Sequence, residues 1–207
     1  TSSRCHNFVW ARHCRCTFEY AFLATVLSLR PDAIVFSPLP TTVENPSPEA
    51  FAVLRKRFPV KTISVWFDSV QPHIQSLANR YAPTMDTLVL LDSGVTKESA
   101  PRFRERYLPM WTPQDPALYH DTEMQRDIGI AFLGSVACYP DRQHMLALLR
   151  QDGLDLYEYG GQRERRLPPE AYAETMRRAR MVVNFCKAPG NGAVQFKGRT
   201  METLFSG

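Results

Sequence analysis

The residues best suited to chemistry stand together near the end of the chain, in Lys197-Gly198-Arg199-Thr200-Met201-Glu202. Two cations flank a glycine where a loop turns into a helix. Unpaired backbone N–H groups, the positive end of the helix dipole and two side-chain charges can there meet an anion such as a diphosphate. Glu202 follows one turn later, where a carboxylate can accept hydrogen bonds from a ribose diol. The same spacing fits a capped surface helix with a Lys/Arg–Glu pair, and spacing alone leaves both readings open.

Other chemistries lack their motifs: the chain has no Ser-His-Asp ordering, no H-E-x-x-H, no P-loop and no G-x-G-x-x-G. Five cysteines without regular spacing argue against a disulfide framework and for a reducing, cytoplasmic compartment. Cys5-His6, His13-Cys14 and Cys16 are ligand types that zinc accepts, but their spacing is not that of a zinc ribbon, so no metal site is expected.

These residues need elements to position them, and the apolar pattern supplies a βα alternation. Phe18–Leu29 recurs at three- and four-residue spacing as a helix. Ala33–Phe36 reads as a buried strand, Ser47-Pro48-Glu49 opens a helix through Arg57, and Thr62–Phe67 forms a strand ending in Asp68-Ser69. A helix over Pro72–Tyr81 and a strand over Thr87–Leu91, ending in Asp92-Ser93, continue the pattern. It predicts a parallel sheet covered on both faces, with Ser37, Asp68, Asp92 and Ser93 on one edge, where open α/β sheets bind ligands.

Residues 107–126, rich in proline, read as a connector, and the domain division follows: 1–110, a linker over 111–126, and 127–207. In the second half Ile128–Leu133 is a strand ending in Gly134-Ser135, and Asp141 caps a helix through Arg150 that carries Met145, Leu146, Leu148 and Leu149. Leu154–Tyr159, a helix from Pro168-Pro169-Glu170 to Arg180, a strand over Met181–Phe185 and a helix over Gly198–Phe205 complete it, giving two Rossmann-like units in series.

The averages agree with such a chain. With 207 residues it has one large or two small domains, and 44% hydrophobic and 22% charged residues exclude disorder, collagen-like repeats and coiled coils. Lys and Arg number 25 against 21 Asp and Glu, and a net +4 is too small to require nucleic acid or more than peripheral membrane contact. The excess lies before Met110, partly in Arg4, Arg12, Arg15 and Arg55-Lys56-Arg57, which read as a solvated surface or a phosphate-facing patch.

Residues 127–207, with Phe132-Leu133-Gly134-Ser135, Tyr159-Gly160, Leu167-Pro168-Pro169-Glu170-Ala171-Tyr172, Val183-Asn184-Phe185 and Lys197-Gly198-Arg199 before Glu202, resemble the nucleotide-sugar-binding domain of GT-B glycosyltransferases. The similarity is greatest to the bacterial spore-maturation-type group and extends more loosely over residues 30–126. It implies an α/β protein of two Rossmann-like GT-B domains facing across a cleft, which moves a sugar from a nucleotide-diphosphate-sugar donor to a glycan, lipid or protein acceptor without a further cofactor. By the same resemblance Glu202 binds the donor ribose, Lys197 and Arg199 bind the diphosphate, and the Gly134-Ser135 loop approaches the phosphates or sugar.

The chain departs from the family pattern twice. Val194 stands eight positions before Glu202, where retaining members carry a second Glu, and Ser135 stands where an Arg is frequent. The nearest later cation is Arg142, expected on the surface unless the Val136–Asp141 loop folds back. Asp68 is the candidate acceptor-side base, a strand-end carboxylate able to take a proton from a hydroxyl; its other reading is a turn or helix cap. His73 and His144 are ambiguous, and Trp66 and Trp111 fit either a cleft lining or a core.

Thr1 is not an initiator Met, and no strand with a glycine-rich loop precedes Phe18, so both domains are expected to be incomplete and turnover to belong to a longer chain. Two rivals stand beside the enzyme reading. One is a GT-B-like binding module without turnover; the other is a flavodoxin-like sensor using Asp68 and Asp92, which leaves Lys197-Gly198-Arg199 unexplained.

Overall fold

The computed structural model describes residues 17–38, 45–91, 105–136, 139–159, 167–187 and 194–207. The Cys/His cluster at 5–16, Asp92, Ser93 and the glycines at 160–161 and 190–192 lie outside the described residues. The chain is mixed α/β with two all-parallel sheets, consistent with a Rossmann-like fold, and divides into two compact units, Thr1–Met110 and Trp111–Gly207. No helix among the described residues is long and apolar enough to cross a membrane.

The first unit holds helix α1 (residues 17–29), β1 (Ala33–Phe36), α2 (Pro48–Arg57), β2 (Lys61–Trp66), α3 (Pro72–Tyr81), β3 (Thr87–Leu90) and β4 (Tyr107–Pro109). Helix α2 starts where its capping residues dictate: the Ser47 hydroxyl accepts from Ala50 N–H at 3.2 Å and Pro48 fills the first turn. Its last turn carries Arg55, Lys56 and Arg57, which complement the negative helix end. Arg55 is further engaged by Asp86 at 3.0 Å, which gives this basic run a structural role.

The strands run in the order β1-β2-β3-β4. Each is added on the same side, so right-handed crossovers bring α2 and α3 to one face. There Phe51, Trp66, Ile74, Tyr81, Met85, Leu88 and Leu90 form the core, and Trp66 satisfies its buried N–H on Ser64 Oγ at 2.8 Å. Full burial of side chains of this size contributes about 1.5–3 kcal/mol each. On the other face the edge strand β1 leaves Val35 68% exposed, whereas Val89 in β3 is buried at 6%. The expected connector also loses its first residues, because Tyr107–Pro109 pair with β3; Pro109 is tolerated there because β4 is an edge strand.

In the second unit, residues 111–126 carry no helix or strand and lie along the domain: Trp111 stacks on Phe196 and Arg177 Nη1 donates to Leu118 O at 2.6 Å. Then follow β5 (Ile128–Leu133), α4 (Pro140–Gln151), β6 (Leu156–Tyr159), α5 (Pro169–Arg178), β7 (Ala179–Val182) and α6 (Gly198–Phe205). Helix α4 ends in a Schellman turn, with Gly153 at φ +77° and Leu154 N–H on Leu149 O. Its start is corrected: Tyr139 is the N-cap residue and Asp141 lies inside the first turn.

The passage from α5 to β7 comes two residues earlier than the apolar run indicated. Ala179 pairs with Ile128 and begins the strand directly where the helix ends. The sheet order is β6-β5-β7, so the second unit does not repeat the plan of the first. The chain moves from β5 to β6 on one side, then back across β5 to β7 on the other. This reversal places α4 and α5 on opposite faces and makes the C-terminal ends of β5 and β7 a topological switch point, the place where open α/β sheets bind ligands.

Candidate functional site

The strand ends at this switch point collect most of the residues singled out from the sequence. Gly134 ends β5, its N–H extending the ladder to Tyr159 O at 3.0 Å, and Ser135 follows. Beyond β7, Asn184 Nδ2 donates to Thr200 Oγ1 at 2.5 Å, which ties the strand exit to the first turn of α6. Asn184 Oδ1 is buried without a hydrogen-bond partner. Lys197 is the N-cap residue of α6 and its ammonium donates to Gln195 Oε1.

Arg199 reaches back from α6 to the end of β5. A Cβ on Gly134 would lie 2.8 Å from Arg199 Nη2 and 3.0 Å from Nη1, so the guanidinium occupies the space that only glycine leaves. Gly198 is under no such demand, since a Cβ there would meet Thr112 Cγ2 at an ordinary 3.5 Å.

Two further residues join the group. Arg142 is only 9% exposed, lies 3.5 Å above the Tyr139 ring centroid and donates through Nη1 to Ser135 O at 3.0 Å. The expectation of a surface Arg is thereby corrected. Burial lowers its pKa and the like charge of Arg199 lowers it further, against the opposing effect of Tyr139. The guanidinium nevertheless stays cationic at neutral pH. Neither Arg142 nor Arg199 has a carboxylate ion-pair partner among the described residues.

The second addition is Tyr172, on the first turn of α5. Its hydroxyl donates to Glu202 Oε2 at 2.8 Å and accepts from Arg199 Nε at 3.2 Å. Burial pushes the phenol well above its ordinary value; Glu202 adds to the rise and Arg199 opposes it, so the proton remains for Glu202. Tyr119 is raised too, by burial and then by the charges of Glu202 and Asp115.

The signals for these two residues differ. Arg142 stands four positions before buried Leu146 and thus on the inner face of α4, while the apolar Met145 and Leu148 are 47% and 39% exposed. Its charge concealed a position that helical spacing marks. Tyr172 shares a face with buried Ala173 and Met176, which predicts packing but not a hydroxyl contact with another helix.

Asp68 belongs to the first unit. It is exposed, has φ +53°, and its carbonyl accepts from Gln71 N–H at 3.0 Å, so it is a turn residue at the C-terminal end of β2; Gln71 is the N-cap residue of α3. His73 and His144 are both exposed, and Trp66 is a core residue. Among the described residues no three His, Cys, Asp or Glu side chains gather as a metal site.

Chemically, two guanidinium groups without carboxylate partners, set around a glycine at a strand end, are arranged for an anion with several oxygens. A carboxylate one phenol away is arranged for hydroxyl donors. The sequence matches no protein-family model and none of the curated proteins.

Proposed function

We propose that the second unit binds a nucleoside-diphosphate sugar and that the protein is a glycosyltransferase of the GT-B type, its two α/β units corresponding to the two domains of that fold. The observation that carries this reading is the convergence of Arg142 and Arg199 on the Gly134–Ser135 strand end, with Glu202 joined to Arg199 through one tyrosine hydroxyl. In this reading the guanidiniums and Lys197 neutralise the diphosphate, and Glu202 accepts from the ribose diol. As the sugar–phosphate bond breaks, charge accumulates on the departing diphosphate, and fixed cations stabilise that charge more than the ground state. Asp68 is assigned the acceptor-side base.

The test is thermal unfolding of the full chain with millimolar UDP, GDP, ADP or dTDP. One of them is expected to raise Tm by several degrees, as ligand at about 100 times Kd contributes about 2.7 kcal/mol. Glu202→Ala is expected to abolish the shift, and no shift with any of the four would overturn the reading.

A second reading, donor binding without turnover, is favoured by Val194. It is 72% exposed and offers no carboxylate at the position where retaining GT-B enzymes carry one. A bound but unconsumed donor sugar, followed by chromatography, would select it.

A further inference from the structure

The geometry points to Tyr172 as a positioning residue that keeps Arg199 and Glu202 from pairing with each other, holding both open for ligand. This rests on the reading above. Arg199 and Glu202 are three residues apart on α6, a spacing at which opposite charges on a helix ordinarily meet. They form no ion pair; the Tyr172 hydroxyl lies between them, accepting from one and donating to the other. Because Arg199 supplies the donor and Glu202 the acceptor, the orientation of the phenolic O–H is fixed by its two partners.

Each partner is thereby fastened by one atom and left with others. Glu202 gives Oε2 to the phenol and retains Oε1 for a diol, while Arg199 gives Nε and retains Nη1 and Nη2, the edge that lies against Gly134. Tyr172 comes from a different helix, so the site stays open only while α5 and α6 keep their contact. Removing the hydroxyl while leaving the ring should let the guanidinium swing onto the carboxylate and close both halves of the site at once.

The experiment is calorimetric titration of the full chain with inorganic pyrophosphate and with the best-binding nucleoside diphosphate. Tyr172→Phe is expected to weaken pyrophosphate about tenfold, the size of one charge-assisted hydrogen-bond rearrangement. Adding Glu202→Gln to it removes the competing carboxylate and is expected to restore pyrophosphate to within about threefold of wild type, a rescue that a packing defect would not show. Glu202→Gln alone is expected to stay within about threefold of wild type, because Tyr172 already holds the carboxylate off.

Wild-type affinity in Tyr172→Phe, failure of the rescue, or a tenfold gain in Glu202→Gln alone would each overturn the inference; the last holds whether or not the phenylalanine variant folds. Wild type that binds pyrophosphate but no nucleoside diphosphate more tightly would instead overturn the donor reading. Wild type that binds neither would overturn both.

Discussion

Two glycines that look alike in sequence have opposite roles in the second unit. At Gly134 a Cβ would meet the Arg199 guanidinium at 2.8 Å, whereas at Gly198 it would make ordinary contacts, to Thr112 Cγ2 at 3.5 Å and Gln114 Nε2 at 3.6 Å. Gly134→Ala is therefore expected to displace the guanidinium and weaken pyrophosphate about tenfold, with a Tm within about 3 °C of wild type because a flexible side chain can move aside. Gly198→Ala is expected to leave stability unchanged or raise it by up to about 1 kcal/mol, since alanine is the better helix former. Circular-dichroism melts and titrations of the two variants check this contrast. The sequence placed Arg199 and Glu202 on one helix by local spacing alone. It could not place the Tyr172 hydroxyl between them, because that contact joins residues 30 positions apart through the packing of α5 on α6.

At the scale of elements, starts and stops were legible wherever a local rule governs them. Ser47-Pro48-Glu49 announced α2, and Ser47→Ala is expected to cost about 1 kcal/mol in denaturant unfolding. Strand order was not legible, because both halves show the same βα alternation while one sheet runs β1-β2-β3-β4 and the other β6-β5-β7. The decision lies in which strand a returning chain finds open, a tertiary matter. Asp86 illustrates such a tertiary tie: it accepts from Thr62 N–H at 2.8 Å and pairs with Arg55, joining α2, β2 and the approach to β3. Burial pushes its carboxyl up, but the Thr62 N–H, Arg55, the Thr62 hydroxyl and Lys61 together hold it below the usual value. A depressed carboxylate adds stability above its unfolded pKa and loses it as pH falls through the folded one. Tm measured from pH 6 down to pH 2 is thus expected to fall less steeply below about pH 4 in Asp86→Asn than in wild type, from a lower starting value.

For the molecule as a whole, each unit has its own sheet and the candidate donor site is built entirely from residues of the second. Hydrogen exchange of the full chain with a nucleoside diphosphate is accordingly expected to show slowed exchange in peptides covering 128–136 and 194–205, and little change in those covering 48–66. Equal protection in both sets would contradict a donor site confined to the second unit. The passage from Arg178 to Ala179, helix to strand without an intervening residue, has a consequence for how chains of this kind diverge. One added residue there would slip β7 by a position and turn buried Ala179 outward. If β7 instead kept its register, the added residue would have to be taken up by α5 and would carry Tyr172 off its partners. Chains that share this site should therefore keep their length at this junction as strictly as between Arg199 and Glu202, which makes an unbroken spacing between the tyrosine and the strand a mark of kinship beside the identity of any single cation.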